Sequence, residues 1–463
     1  ISDIEKICEL VTKEYQDKGY FLAQAYIAPN SYKDEILTIS ITRAKYGKFS
    51  IKNSSLVTTK SIEDIFNNLK DKDVTADSIQ RAVMLTSDLS GLTFKGIRTL
   101  LGEDENTTNF EIIADRAPRF DGYLMADNYG SVYNGLYRFS LGANANSPFG
   151  IGDKLSITAM ATDGYGAKNG SINYQAPVGS SGLTIGGGYY NNQYTLGGVY
   201  ANLEALGNTS ALQLNFAYPV IKLYDESLTV SFNPQMQLVK DLQLSNNNQR
   251  KIGVGVFGLD YSKSFNALNL GNNFKTNLNY TIGRLTFVDS ADASMDAQTT
   301  NTQGTFSKIG YSGSLVTALS SEFSLKNSFN AQFALAKKNL DPSQDITIGG
   351  AYAAKAFPTT QESGDSGYIY TAELGYTLPS FSEYSHNISA FYDVGRSFMT
   401  NPNSPMGYIP FNSQILQDIG LGYSVNHKSV FAKVQVAQVV GGVKVQGVAY
   451  YTTKGLFQVG WMW

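Results

Sequence analysis

Residues 212–218 read LQLNFAY, so that a large apolar side chain occurs at every second position. The same alternation occurs in residues 228–233 (LTVSFN), in residues 430–436 (VFAKVQV) and in the last seven residues, 457–463 (FQVGWMW). Successive side chains of a β-strand point to opposite faces of a sheet. Each of these stretches therefore predicts a strand with one apolar and one polar face.

Segments of this kind recur from residue 118 to residue 463. We count 16 of them, beginning near residues 119, 135, 153, 169, 182, 209, 226, 251, 272, 304, 323, 368, 386, 415, 429 and 455. Each segment with its turn takes about 22 residues, which suits tilted strands of about 10 residues that cross a membrane. An even strand number is typical of outer-membrane barrels. The sequence thus predicts a mainly β membrane protein, with a 16-stranded antiparallel β-barrel over residues 117–463.

The composition leaves two classes of β protein open. The formal net charge is −3 and charged residues make up 16% of the chain, which does not indicate a nucleic-acid partner. The sequence contains no run of about 18 apolar residues, so a membrane-spanning form has to be a closed barrel. A soluble all-β adhesin is the alternative, but the 30 Tyr residues suit the aromatic girdles of a membrane barrel better.

The pattern before residue 117 is different, because helical and strand spacings mix. From residue 47 onward the predicted order is strand, helix, helix, strand, strand, which describes a small α+β module at 47–116. Ser61, with Asp64 three residues later, is the predicted N-cap of its first helix. Residues 1–46 carry a helix and two strands, predicted over 21–28 and over 35–42, and they resemble the rear of a second such module. The N-terminal helix is predicted from an apolar stripe of Ile4, Cys8, Val11 and Tyr15.

Four short motifs, in a fixed order along the chain, can be compared with those of known protein families. Residues 126–131 read ADNYGS, residues 135–138 read GLYR and residues 147–153 read SPFGIGD; further on, residues 391–395 read FYDVG. This run resembles the transporter component of two-partner secretion, the TpsB family, which exports haemolysins, filamentous adhesins and contact-dependent inhibition toxins. The chain also ends on an aromatic residue, Trp463, as strands addressed to the barrel-assembly machinery do.

The resemblance covers essentially the whole chain and implies a domain plan. In this family, two periplasmic POTRA domains precede a 16-stranded barrel. Residues 47–116 then correspond to the second POTRA domain and residues 1–46 to part of the first. The first residues of the sequence do not show the pattern of a signal peptide. The family's plug helix, its linker and the front of the first POTRA domain are therefore expected to precede residue 1.

The resemblance also implies a functional loop. Residues 340–367, between the eleventh and twelfth barrel strands, are expected to fold into the barrel, with Gly349 and Gly350 as supporting residues. The family's loop motif is usually V-R-G-[FY] or V-R-A-[FY], whereas this chain has AKAF at 354–357. By resemblance, Lys355 pairs with Asp393 of the F-x-D-x-G motif.

Other residues of the two motifs complete this site: Phe357, Phe391 and Gly395. The strand pattern points Asp393 into the lumen and is compatible with the pair. Lysine forms the ion pair without the bidentate fork of arginine, so we expect a looser contact. From the residues alone, without the resemblance, the preferred interpretation of Lys355 is a solvated loop charge and that of Asp393 an ordinary polar lumen residue.

The expected partners follow from the same family. They are a secreted protein (a haemolysin, a filamentous adhesin or a contact-dependent toxin), outer-membrane lipid and lipopolysaccharide, and the barrel-assembly machinery, which would read Trp461 and Trp463. The expected location is the bacterial outer membrane, with the N-terminal part in the periplasm.

The sequence supports no enzymatic reaction, cofactor or metal. Residues 364–367 read GDSG, like a serine-protease nucleophile site, but a triad needs a histidine that converges on the serine. His386 and His427 are the only histidines and fall in or beside predicted strands, so GDSG is interpreted as a flexible loop stem. With Cys8 as the only cysteine, the chain has no usual zinc or iron set and no disulfide.

Two other transport-related functions stay open at this stage. A barrel-assembly or insertase protein of the same superfamily would carry more POTRA copies and a V-R-G-F loop. A passive diffusion porin would need neither an N-terminal module nor the Lys355 and Asp393 context.

Overall fold

The computed structural model describes residues 2–244, 246–335, 339–359, 363–398, 414–442 and 452–463. These residues form an N-terminal α+β part and a closed β-barrel. None of the helices in the described ranges has the length and apolarity needed to span a bilayer.

The first 44 residues form one helix and four short strands. The helix is α1 (Ser2–Asp17), and the strands are β1 (Gln24–Tyr26), β2 (Tyr32–Lys33), β3 (Ile36–Leu37) and β4 (Ser40–Thr42). β1 pairs with β4, and β2 pairs with β3. The single strand predicted over residues 35–42 is therefore wrong. β3 and β4 are separated at Thr38 and Ile39 because they pair with different strands; Asp34 and Glu35, with left-handed φ angles of +52° and +63°, form the turn that folds β3 back onto β2.

The next module has a three-stranded sheet covered by two helices. Its elements are β5 (Lys45–Asn53), α2 (Thr59–Asn67), α3 (Ala76–Ser87), β6 (Leu92–Leu101) and β7 (Thr107–Arg116). β7 lies in the middle, parallel to β5 and antiparallel to β6. Fully buried apolar and aromatic side chains from both layers fill the space between them, among them Tyr46, Ile62, Phe66, Phe110 and Ile112.

The N-cap predicted at Ser61 is wrong. α2 begins at Thr59, and the side chain of Thr58 caps it by accepting a hydrogen bond from the backbone N–H of Ser61. Ser61 is thus the donor at the third helical position, where the free backbone N–H groups of a helix start need a partner. Its hydroxyl group also lies 2.8 Å from that of Thr58.

Sixteen strands in the described ranges close into an antiparallel barrel, which confirms the predicted fold class. Each begins within five residues of its predicted start. The first eight are β8 (Phe120–Asp127), β9 (Arg138–Asn146), β10 (Lys154–Thr162), β11 (Ala167–Val178), β12 (Leu183–Thr195), β13 (Leu206–Lys222), β14 (Glu226–Gln243) and β15 (Asn246–Ala267).

The second half of the barrel carries two insertions. A helix, α4 (Ser290–Gln298), separates β16 from β17, and a two-stranded ribbon, β19 (Ile346–Thr347) with β20 (Ser363–Gly364), lies between β18 and β21. The eight strands are β16 (Leu270–Phe287), β17 (Gly304–Ala318), β18 (Phe323–Ala334), β21 (Ser366–Thr377), β22 (Tyr384–Phe398), β23 (Gln414–His427), β24 (Val430–Gly442) and β25 (Thr453–Met462).

The last strand closes the barrel on the first. β25 pairs with β8, and two further backbone bonds join Trp463 to Gly122 at 3.1 and 3.2 Å. The alternation seen in the sequence separates the two faces: Val434 is 52% exposed on the outside, while the neighbouring Gln435 is 2% exposed inside. Trp461 and Trp463 lie on the outer face near this seam, with ring centroids 5.0 Å apart.

The α+β module is docked on the turns at one end of the barrel, which we call the module end. The guanidinium group of Arg81, on α3, donates hydrogen bonds to the backbone carbonyl of Ser181 (3.1 Å), in the turn between β11 and β12, and to those of Pro219 (2.7 Å) and Val220 (3.2 Å), near the end of β13. Lys222 forms an ion pair with Asp88 at 2.7 Å.

Backbone bonds join the same two parts. The N–H group of Thr58 donates to the carbonyl of Gly150 at 2.8 Å, and that of Ser90 donates to the carbonyl of Gly152 at 3.2 Å. Direct backbone pairing of this kind gives the module a defined orientation over the barrel mouth.

We expect Arg81→Ala to loosen this docking without unfolding either part. Three hydrogen bonds are lost, and each contributes about 0.5–1.5 kcal/mol to stability. A loss of about 1.4 kcal/mol changes an opening equilibrium about tenfold. Hydrogen–deuterium exchange at the Thr58 and Ser90 amides should therefore become about tenfold faster.

Arg98→Ala is the matched control, because Arg98 reaches Glu111 within the module, at 3.7 Å. Equal exchange rates at Thr58 and Ser90 in the parent and in Arg81→Ala would contradict the proposed anchoring role.

Candidate functional site

The chain between β18 and β21 folds into the barrel from the end opposite the module. We call residues 348–357 the loop tip, and residues 339–347 with 363–365 the loop stem. Residues 336–338 and 360–362 lie outside the described ranges, and the latter fall within the predicted loop at 340–367. The β19–β20 ribbon belongs to the stem and carries the tip beyond it.

The two predicted loop glycines shape the start of the tip. Gly350 has a φ of +108°, and a Cβ atom there would lie 2.6 Å from the Thr359 hydroxyl. Only glycine adopts this backbone without strain. The Gly350 N–H donates to the carbonyl of Ala354, and the Ala353 N–H donates to that of Gly350. This tight turn directs Lys355 to the barrel wall.

Lys355 and Asp393 meet in the lumen. The Lys355 Nζ atom lies 2.9 and 2.8 Å from the two carboxylate oxygens of Asp393, and the Thr371 hydroxyl donates to the same carboxylate at 2.6 Å. Lys355 is 8% exposed and Asp393 is fully buried. A buried charge pair with both partners hydrogen-bonded is expensive to break on one side only.

A second carboxylate, Asp418, lies directly across from Asp393 on the neighbouring strand. It is fully buried, and its Oδ2 atom accepts a hydrogen bond from the backbone N–H of Ala356 at 2.9 Å. Two like charges opposite each other on a sheet repel. Lys355 and the Ala356 N–H of the loop tip therefore each contact one of two neighbouring carboxyl groups of the wall.

Asp418 was not among the residues singled out from the sequence. Its place in the lumen-facing register of β23 was a usable signal, but its position beside Asp393 depends on the pairing of two strands separated by 15 undescribed residues, 399–413.

The ring of Phe391 lies against the Lys355 ammonium group. The Lys355 Nζ atom lies 4.4 Å from the centre of its ring, a distance at which a cation is attracted to an aromatic face. A Cβ atom on Gly420, the cross-strand partner of Phe391, would lie 2.2 Å from that ring. The phenyl group therefore lies flat across Gly420 and leaves room for the lysine above it.

The remaining motif residues pack the tip onto the wall. Phe357 is 1% exposed and belongs to a buried cluster with Ile348 of the tip and with wall residues. Gly395 makes the close approach possible, because a Cβ atom there would lie 3.0 Å from the Cβ atom of Ile348. The wall residues of the cluster are Ile369, Phe391, Leu416 and Ala437.

The tip reaches the residues that follow the first barrel strand. The rings of Tyr352 and Tyr129 make a T-shaped contact with centroids 5.6 Å apart. Tyr129 in turn lies under Arg138, which makes a bidentate ion pair with the buried Asp127 at 2.7 and 3.0 Å. The ADNYGS and GLYR motifs therefore meet across β8 and β9, next to the tip.

The GDSG stretch has a different role from the one predicted. Asp365 is 6% exposed and accepts a hydrogen bond from the Leu340 backbone, and the Ser366 hydroxyl accepts one from the Ala334 backbone. It is a hydrogen-bonded strand start rather than a flexible stem. Ser366 pairs with Phe398 at one end of β22, whereas His386 lies near the other end, about 12 residues or 40 Å away. This separation rules out a catalytic contact between them.

Within the described residues, no group of three or more His, Cys, Asp or Glu side chains is arranged to hold a metal ion. What the arrangement can do is mechanical. The stem and tip together contact the inner wall from β14 to β25, so the loop lies inside the barrel.

Comparison with known proteins adds a family to this geometry. Residues 106–407 match the family model described as haemolysin secretion/activation protein ShlB/FhaC/HecB. The heme/hemopexin transporter protein HuxB of Haemophilus influenzae is 24% identical over 436 residues, which cover 93% of this chain and 76% of HuxB.

Two solved structures share the fold. CdiB from Escherichia coli has a TM-score of 0.83 at 15% identity, covering 100% of this chain and 84% of CdiB. CdiB from Acinetobacter baumannii has a TM-score of 0.75 at 17% identity, covering 99% of this chain and 82% of that protein.

The charged site leads to a prediction about loop release. Lys355→Met removes the cation that contacts Asp393, and removing one partner of a buried pair costs about 3–5 kcal/mol. We expect the tip to leave the wall, so that the open probability of single channels in planar lipid bilayers rises.

Asp418→Asn should not have this effect, because its amide oxygen still accepts a hydrogen bond from the Ala356 N–H and the Lys355–Asp393 pair is kept. Lys275→Met, on β16 among the polar lumen side chains away from the site, controls for the loss of any positive charge in the lumen. An unchanged open probability in Lys355→Met would show that the pair does not hold the tip.

Proposed function

The chain belongs to the haemolysin secretion/activation family of ShlB, FhaC and HecB, and we propose that it exports a partner protein through a pore that the loop tip opens and closes. It is an outer-membrane transporter, and its N-terminal α+β part lies in the periplasm. The module end of the barrel is therefore periplasmic, and the loop enters from the extracellular side. The observation that carries the gating proposal is the buried contact of Lys355 with Asp393.

Capture of the partner is assigned to the periplasmic module. In the sheet order β5-β7-β6, β6 is an outer strand, and its last residues, Leu100 and Leu101, are 48% and 95% exposed. An exposed strand edge can add a strand from an extended peptide through main-chain hydrogen bonds. Residues 1–46 and 47–116 would then act as a partial first and a complete second POTRA domain.

Passage of the partner is assigned to the lumen. Its periplasmic half, on β14 to β18, is lined by short polar side chains, among them Ser227, Ser262, Asn277, Ser312 and Asn330. Such a wall offers hydrogen bonds without apolar patches that would trap an unfolded chain. The sequence has no nucleotide-binding motif, so folding of the partner outside the cell would supply the direction.

The identity of the partner is a proposal on two grounds. The related HuxB is named as a heme/hemopexin transporter, and the structurally similar proteins are CdiB. We propose a large secreted protein of the haemolysin, filamentous adhesin or contact-dependent toxin class, encoded beside this chain.

Two further partners are proposed from the outer surface. Outer-membrane lipid and lipopolysaccharide would contact the apolar outer face, where Leu212 is 65% and Leu214 is 52% exposed. The barrel-assembly machinery would read the exposed Trp461 and Trp463 during insertion.

A disulfide lock tests the gate directly. Ile348→Cys with Gly395→Cys, in a Cys8→Ser background, places two sulfurs across the tip and β22. The Cβ positions are 3.0 Å apart, and disulfides need about 3.5–4.5 Å, so a shift of about half an ångström suffices. We expect oxidation to abolish export of the co-encoded partner and reduction to restore it.

Each single-cysteine variant is the control for the added side chain, and it should export equally in both redox states. Undiminished export by protein whose disulfide has been verified by gel mobility would refute the gating role of the tip. Absence of export by the parent protein would refute the transport proposal itself.

A further inference from the structure

We propose that Arg250 is a positioning residue that fixes the loop stem to the barrel wall, so that only the tip moves when the pore opens. This inference rests on the proposed function, in which the loop is the gate. It concerns a part of the loop that Lys355 and Asp393 do not contact.

Arg250, on β15, is held between two carboxylates. Its guanidinium group makes a bidentate contact with Asp341 of the stem, through Nε and Nη2, and its Nη1 atom lies 2.7 Å from Asp241 on β14. Nη1 also lies 3.1 Å from the side-chain oxygen of Asn248. Arg250 is 8% and Asp341 5% exposed. A planar guanidinium fork of this kind sets orientation as well as distance.

Apolar packing reinforces the same point of the stem. Leu340, next to Asp341, is 4% exposed and lies in a cluster of wall side chains on neighbouring strands, formed by Val239, Ile252, Val254, Leu285 and Phe306. Burial of a leucine contributes about 1.5–3 kcal/mol relative to leaving it in water. The charge contact and the apolar contact thus hold adjacent residues.

The two arms of the stem are tied to each other and to β17 and β18. The Leu340 N–H donates to Asp365 of the other arm at 2.8 Å. The side chain of Gln332 donates to the carbonyls of Gln344 and Asp365, and Lys308 donates to that of Gln344 at 2.7 Å.

The two anchors therefore hold different parts of the same loop. The Arg250 anchor holds the stem on β14 to β18, and the Lys355 contact holds the tip on β21 to β25, beyond the β19–β20 ribbon. Release of the tip leaves the stem in place, and the tip then returns to the same wall site. Loss of the stem anchor would instead let the entire loop drift.

Spin-label distances test this division. In the Cys8→Ser background, labels at the exposed stem residue Ser343 and the exposed tip residue Tyr352 are each paired with a reference label at Thr195, on β12. Arg250→Gln should broaden the Ser343–Thr195 distribution, and Asp341→Asn should reproduce that effect. Lys355→Met should broaden only the Tyr352–Thr195 distribution.

Two variants guard against a merely structural effect. Arg250→Lys keeps the positive charge but lacks the planar guanidinium group, so its Ser343–Thr195 distribution should have an intermediate width. Heat-modifiable gel mobility would show that its barrel is folded. Lys251→Gln, one residue along β15 with an exposed side chain, should leave both distributions unchanged. In planar bilayers, Arg250→Gln should spread the open-channel conductances, whereas Lys355→Met should open to one level.

A Ser343–Thr195 distribution in Arg250→Gln equal to that of the parent would overturn the proposal. So would equal broadening at both labels in Lys355→Met, because the stem would then depend on the tip contact. These distances do not depend on export, so a failure of the parent to secrete its partner would count against the proposed function alone.

Discussion

Closure of the backbone ladder is the constraint on which the rest of the structure depends. A lipid environment offers no hydrogen-bond partner, so every strand edge in the barrel has to meet another strand. β25 meets β8, and the Trp463–Gly122 backbone bonds extend that seam to the last residue of the chain. A Cβ atom on Gly122 would lie 2.5 Å from the Trp463 ring, so the close approach at the seam requires a glycine there.

The interior of a closed 16-stranded barrel is either filled by part of the protein or filled with water. Here the loop between β18 and β21 occupies it, and charge governs how it is held. Asp393 and Asp418 face each other on adjacent strands, where neither carboxyl group can form an ion pair with the other. The wall is therefore most stable when a cation and a backbone donor are present, and the loop tip supplies both. Without the loop, Asp393 loses the Lys355 ammonium group and Asp418 loses the Ala356 N–H donor, and water in an open pore can take the place of both.

Period-two alternation made the strand number and the strand starts predictable, because each strand repeats the same local signal. The Lys355 site was predictable for another reason: its two halves lie in motifs that a family resemblance joins. Asp418 and the Arg250 anchor were not predictable in this way. Arg250 and Asp341 are 91 residues apart and belong to no motif, and their contact depends on the path of a loop through the lumen. Short-range signals failed in residues 35–42, where β3 and β4 pair with different strands, and at Ser61, where Thr58 caps the helix three residues earlier.

The lysine at position 355 changes how the tip is held. An arginine offers five donors in a planar fork, enough to serve both carboxylates from one side chain. Lys355 directs its charge to the two oxygens of Asp393 and to the face of Phe391, and the backbone N–H of Ala356 serves Asp418 instead. The two carboxyl groups that one guanidinium group could contact are thus bound by a side chain and by the neighbouring peptide N–H group. Because the peptide group can reach Asp418 only when the turn at Gly350 is formed, the hold on the tip depends on backbone conformation as well as on charge.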